Sequence, residues 1–134
     1  MKIGDIYEVY DTVSDKNTAA SLGSGALSVF GTPYLAAMME NAAFLLVQKD
    51  LPEVKSSVGI MLNISHVSPT PVGMRVRAAA EITAISENGK IIDFSVRGYD
   101  EAGLIGEGTH RRAVITVDRF MNKCQNKLSK EDKS

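Results

Sequence analysis

Residues 33–47 constrain the fold most: Pro-Tyr-Leu-Ala-Ala-Met-Met-Glu-Asn-Ala-Ala-Phe-Leu-Leu-Val carries one charge, Glu40, with apolar residues on every side of a helical wheel. A helix apolar all round belongs in a core, so the rest of the chain must be built around it. An ionised carboxylate inside such a segment is costly unless it is paired or hydrogen-bonded. Glu40 therefore has either a structural partner or a chemical task, and the helix alone leaves both readings open.

A chain of 134 residues is expected to form one domain able to bury about two thirds of its unfolded surface. We place that domain at residues 1–128 and expect the charged run 129–134 to fray. With 23% charged residues and a formal net charge of -1, there is no basic stripe for nucleic acid and no acidic tail. The apolar run is too short to cross a bilayer, and Met-Lys-Ile-Gly-Asp at the N-terminus has no signal-type segment, so a cytoplasmic protein off the membrane is expected. A single cysteine, Cys124, excludes an internal disulfide and a cysteine-cluster metal site. No metal is expected.

Tyr- and Val-rich residues 6–13 predict a first strand. Small residues with Gly23, Gly25 and Gly31 predict an irregular, lid-like segment over 19–31. Thr32-Pro33 reads as a helix start with Thr32 as N-cap, and the helix should run to about Asp50. Val58, Ile60, Leu62, Ile64 and His66 share one parity, giving a strand that breaks at Ser68 to Gly73. Val76, Ala78, Ala80 and Ile82 alternate with charged or polar neighbours, and Asn88-Gly89 signals a hairpin into Ile92, Phe94 and Val96. A last strand over 104–117 and a short polar helix over 118–128 complete the chain. Gly103-x-x-Gly106-x-Gly108 sits inside a strand and has the wrong spacing for a dinucleotide loop, so no cofactor is indicated.

One strand, a buried helix and four antiparallel strands make an α+β architecture, the hot-dog fold, in which an antiparallel sheet is wrapped around a long central helix. Its unpaired sheet edges predict a homodimer, with higher assembly left open. The parity of its strand places His66 toward the helix, where a carboxylate and an imidazole stabilise each other's charged forms and can pass a proton near neutral pH. A core-edge histidine bonded to backbone is the plainer alternative. Thr32 is explained by capping or by chemistry, and lies about 12 Å from Glu40 along the axis at about 1.5 Å per residue.

Thr32, Glu40 and His66, eight and twenty-six residues apart, resemble the Thr/Glu/His triad of the fluoroacetyl-CoA thioesterase family of hot-dog proteins. The resemblance extends to Gly59, to the Thr70-Pro71-Val72-Gly73 turn and to Gly108-Thr109-His110-Arg111-Arg112-Ala113-Val114. It implies hydrolysis of an acyl-CoA thioester, with Glu40 as nucleophile or general base, His66 as proton-transfer partner and Thr32 positioning the carboxylate or substrate. It also implies that Gly59 and Arg112 bind the substrate, and that CoA enters only as part of that substrate, without a separate cofactor. On its residues alone, Arg112 reads equally as a strand-surface ion pair, and His110 as a residue that packs or hydrogen-bonds within its strand. The family's fluoroacetate-specific member has aromatic side chains in the lid ahead of its threonine, whereas residues 23–29 here read Gly-Ser-Gly-Ala-Leu-Ser-Val. A different or broader small-to-medium acyl-CoA is therefore expected. The alternative function is a non-catalytic acyl-CoA binding or sensing module on the same fold.

Overall fold

The computed structural model describes residues 1–131. Its elements are β1 (Ile6–Thr12), α1 (Ala19–Leu22), α2 (Thr32–Gln48), β2 (Lys55–His66), β3 (Arg75–Ile85), β4 (Ile91–Asp100), β5 (Gly103–Thr116) and α3 (Val117–Glu131). All pairings are antiparallel and the sheet order is β1-β3-β4-β5-β2, which leaves β1 and β2 as edges. This is the expected α+β hot-dog arrangement, with α2 packed against the sheet. Leu35, Met39, Ala42 and Leu46 of α2 meet the alternating inner residues of β3 and β4, among them Ala78, Ala80, Ile82 and Phe94. Close packing depends on small residues. Gly98 and Gly106 are register partners, and a Cβ on either would come within 2.6 and 2.9 Å of the Leu35 methyls. Burying Leu35 there contributes roughly 2 kcal/mol.

Three local expectations change. The sheet covers only one side of α2, so Pro33, Ala37 and Asn41 are exposed and the helix is not enclosed within a single chain. Gly31, not Thr32, is the N-cap of α2, because that position lies against the Thr18–Ala19 backbone and has no room for a side chain. Thr32 becomes the first helical residue, with its hydroxyl free for another partner.

The third change is in β2, where the register with β5 shifts between Gly59 and Met61. This bulge reverses the parity. Before it, Ser57 and Gly59 lie on the face of Val114 and Arg112; after it, Leu62, Ile64 and His66 lie on the face of His110, Gly108 and Gly106. Ile60, expected inside, is 52% exposed at the sheet edge.

At the C-terminus, α3 begins where the Val117 N–H bonds the Val54 carbonyl and continues to Glu131, three residues into the expected tail. Residues 132–134 lie outside the described residues. No helix among the described residues is long and apolar enough to cross a membrane.

Candidate active site

Two clusters line up along α2. At its N-terminal end the Thr32 hydroxyl and His66 Nδ1 are 2.7 Å apart, joining the first turn of the helix to the last residue of β2. Phe30 closes this site from beneath, fully buried and edge-on to both His66 and Tyr34. A cavity of about 250 Å³ opens here, lined by Ser24 and Val29 of the glycine-rich segment together with Thr32, His66 and Pro69. His66 Nε2 is buried and makes no hydrogen bond among the described residues. Burial pushes the His66 pKa below its ordinary value, partly offset by the nearby Ser68 backbone, so the imidazole is neutral at neutral pH.

The Thr70-Pro71-Val72-Gly73 turn anchors this end. The Thr70 hydroxyl donates to Asp100 at 2.7 Å, its carbonyl accepts from the Phe30 N–H, and Pro71 bridges Val29. Its task is structural: it fixes the C-terminal end of the glycine-rich segment. The rest of that segment, residues 20–28, is exposed, with α1 as its one helical turn.

The second cluster sits two helical turns further on. A Cβ built on Gly59 would lie 2.9 Å from Glu40 Oε2, 3.1 Å from His110 Cε1 and 3.4 Å from Arg112 Nη1. Three functional side chains thus converge on a spot that only glycine leaves open. Glu40 itself is 43% exposed at the side chain, and its nearest cation, Arg112 Nη1, is 4.0 Å away. That separation is too long for a hydrogen bond.

Arg112 is no surface residue. It is buried, its Nε donates to Ser57 Oγ at 2.8 Å, its Nη2 to the Ser57 carbonyl at 2.9 Å, and its Nη1 to His110 Nε2 at 3.1 Å. The exposed strand-surface ion pair belongs to its neighbour Arg111, which bonds Asp93. Burial lowers the Arg112 pKa while the Glu40 charge opposes the shift. His110 is 1% exposed, stacked on Phe94, with Nδ1 2.7 Å from the Met61 carbonyl. A carbonyl only accepts, so Nδ1 carries the proton and Nε2 is the acceptor for Arg112. Burial, chiefly, holds the His110 pKa down and favours this neutral tautomer.

The expected constellation is therefore split within one chain. Thr32 and His66 are together; Glu40, Gly59 and Arg112 are together. No hydrogen bond or ion pair joins Glu40 to His66 among the described residues, and His66 is lowered by burial where a carboxylate neighbour would have raised it. Sequence reasoning missed Ser57 and left His110 to pack or hydrogen-bond within its strand. Ser57 carries no signal, since a serine in a strand is ordinary and the bulge that turns it inward has no mark in the sequence. No cluster of three metal-ligating side chains occurs among the described residues.

Residues 13–118 match the family described as fluoroacetyl-CoA-specific thioesterase, FlK. A fluoroacetyl-CoA thioesterase of Streptantibioticus cattleyicolor is 31% identical over 99 residues, which are 74% of this chain and 70% of that protein. The solved structure of fluoroacetyl-CoA thioesterase FlK superposes with a TM-score of 0.87 at 27% identity, over 95% of this chain and 97% of that one. A variant of FlK in complex with fluoroacetate and CoA gives 0.83 at 28% identity over 90% and 99% of the two chains. A thioesterase superfamily member of Thermus thermophilus shares the fold, with a TM-score of 0.89 at 21% identity over 99% and 97% of the two chains.

Proposed function

This chain belongs to the fluoroacetyl-CoA-specific thioesterase family, and we propose on that premise that it hydrolyses an acyl-CoA thioester to the free acid and CoA through Thr32, Glu40 and His66. One observation above all supports the reading: Glu40, on an otherwise apolar helix, is held over Gly59 without a hydrogen-bonded partner among the described residues, its carboxylate left available for work. Glu40 acts on the thioester carbonyl carbon, directly or by taking a proton from an attacking water. With its Nδ1–H donated to Thr32 Oγ1, the neutral His66 imidazole presents a bare Nε2 that takes up the proton released by the attacking water and passes it to the departing CoA sulfur. Arg112 supplies positive charge beside the carbonyl oxygen as it becomes an oxyanion.

The split between the clusters argues for a homodimer. β2 is an unpaired edge bearing exposed Ile60 and Met61, the kind of edge a second copy covers. A two-fold axis beside β2 runs the strand against its copy, bringing the His66 end of one chain toward the Gly59–Glu40 end of the other. A complete site then takes Glu40 from one protomer and Thr32–His66 from its partner.

The substrate we propose is a small or medium acyl-CoA without fluorine selectivity. Residues 23–28 offer no aromatic side chain, and Phe30 is packed beneath His66 instead of over the mouth. Each methylene placed against Leu27 or Val29 contributes up to about 0.8 kcal/mol, so butyryl-CoA should show a kcat/KM at least equal to that of fluoroacetyl-CoA. Thiol release from acetyl-, fluoroacetyl-, butyryl- and an aryl-acyl-CoA tests this. No release from any of them would overturn the thioesterase reading, and a strong preference for the fluoroacetyl ester would overturn the lid argument.

A further inference from the structure

Arg112 is nearly fully buried, yet among the described residues it has no hydrogen-bonded carboxylate; its donors go to uncharged acceptors, and Glu40 stands off at 4.0 Å. A guanidinium has five N–H donors in a rigid fork. Nε–H goes to the Ser57 hydroxyl, one Nη2–H to the Ser57 carbonyl and one Nη1–H to His110 Nε2. One Nη1–H and one Nη2–H remain, and Nη1 lies on the side of Glu40 and Gly59.

We propose that Ser57 and His110 are positioning residues that clamp Arg112 by three of its donors, so that its remaining Nη1–H is held over Gly59 beside Glu40 for the anionic oxygen of the reacting substrate. The clamp has its own anchor. His110 accepts from Arg112 only because its proton is fixed on Nδ1 by the carbonyl of Met61, the first residue past the β2 bulge. The same bulge turns Ser57 and Gly59 inward, so one irregularity in β2 supplies the opening for substrate and, at Ser57, a clamp. An arginine left to its rotamers loses entropy on each encounter with substrate; a fixed one presents its donors already oriented.

The kinetic arm of the test rests on the thioesterase reading, and a second arm does not. Glutamine places its amide near the position of histidine Nε2, asparagine near that of Nδ1. His110→Asn therefore keeps the bond to Met61 but removes the acceptor for Arg112, whereas His110→Gln does the reverse. If the clamp operates, His110→Asn lowers kcat about tenfold or more, the loss expected for one hydrogen bond to a charged group, with KM changed less. His110→Gln recovers most of that loss. A purely packing role predicts the opposite order or equal defects, and either result overturns the proposal.

In parallel, nitrogen-15 spectra of the arginine side chains of the full-length variants read the clamp without substrate. Slow exchange and dispersed Nη resonances of Arg112 in the wild type and in His110→Gln, lost in His110→Asn, support it. Indistinguishable spectra in all three overturn it, even should the wild type hydrolyse no acyl-CoA and the functional reading itself fail.

Discussion

The two clusters along α2 are built on opposite principles. Around Glu40, the supporting side chains are buried and over-determined: Arg112 has three hydrogen bonds and His110 is wedged between Met61 and Phe94, with room left only in front of Gly59. Around His66, one hydrogen bond to Thr32 and the ring of Phe30 do the holding, and the cover is a glycine-rich segment with exposed side chains. Rigid surroundings suit the group that meets developing charge, which must not reorganise during reaction. A loosely covered end suits acyl groups of varied size, and regions with few buried contacts open at the lowest free-energy cost. The group that acts on the carbonyl carbon and the cover that meets the acyl chain are thus held apart along one helix.

The sharpest test of that separation is Glu40→Gln. The amide is nearly isosteric and sits on a half-exposed side chain, so the fold should hold. It neither attacks nor accepts a proton, so kcat should fall about 10³-fold. Retention of near-wild-type turnover would move the chemistry away from the rigid end and break the comparison.

His66→Ala should act less severely, lowering kcat about 10²-fold with KM little changed, because His66 serves in proton transfer and not in gripping the acyl group. A defect confined to KM would make the N-terminal end a binding site only. Mixing the two inactive variants then asks whether the ends belong to one chain. If a site joins Glu40 of one protomer to His66 of its partner, each mixed dimer holds one intact site. Random re-pairing of equal amounts restores about a quarter of wild-type activity. A mixture as inactive as its components would place both groups of each site in a single chain.

These contrasts were unequally legible in the sequence. Strands β3 and β4 could be read from the alternation of Val76, Ala78, Ala80 and Ile82 and of Ile92, Phe94 and Val96, because one face is buried and the other solvated. Glu40 stood out because a charge within an apolar helix is rare. The β2 edge was misread at Val58 and Ile60, since a bulge changes which residues face in without changing composition. Arg111 and Arg112 are chemically identical neighbours, and only the face each occupies makes one a surface ion pair and the other a buried donor. The Thr32 hydroxyl reads as a cap or as a chemical group because propensity is local, whereas its partner His66 is 34 residues away and delivered by tertiary structure.

The smallest effect we expect is on stability against pH, and it weighs the two ends once more. Both His66 and His110 have pKa values lowered by burial from the ordinary 6.5, so the folded state favours their neutral forms. Between the folded and unfolded values the unfolded chain binds more protons, so stability is fully present above about pH 6.5 and declines as pH falls toward and through the folded values. Each histidine contributes a slope of at most about 1.4 kcal/mol per pH unit across that window. The Asp93 carboxylate, lowered by its bond to Arg111, acts only at more acid pH, below its ordinary 3.8, and leaves this window clear. His110 is 1% exposed against a half-buried His66, so His110→Gln should remove more of the slope between pH 6.5 and 5 than His66→Gln. Urea unfolding at stepped pH measures both. Equal slopes would mean that the lid end is as tightly ordered as the clamp, and the distinction between a rigid and a permissive end would have to be given up.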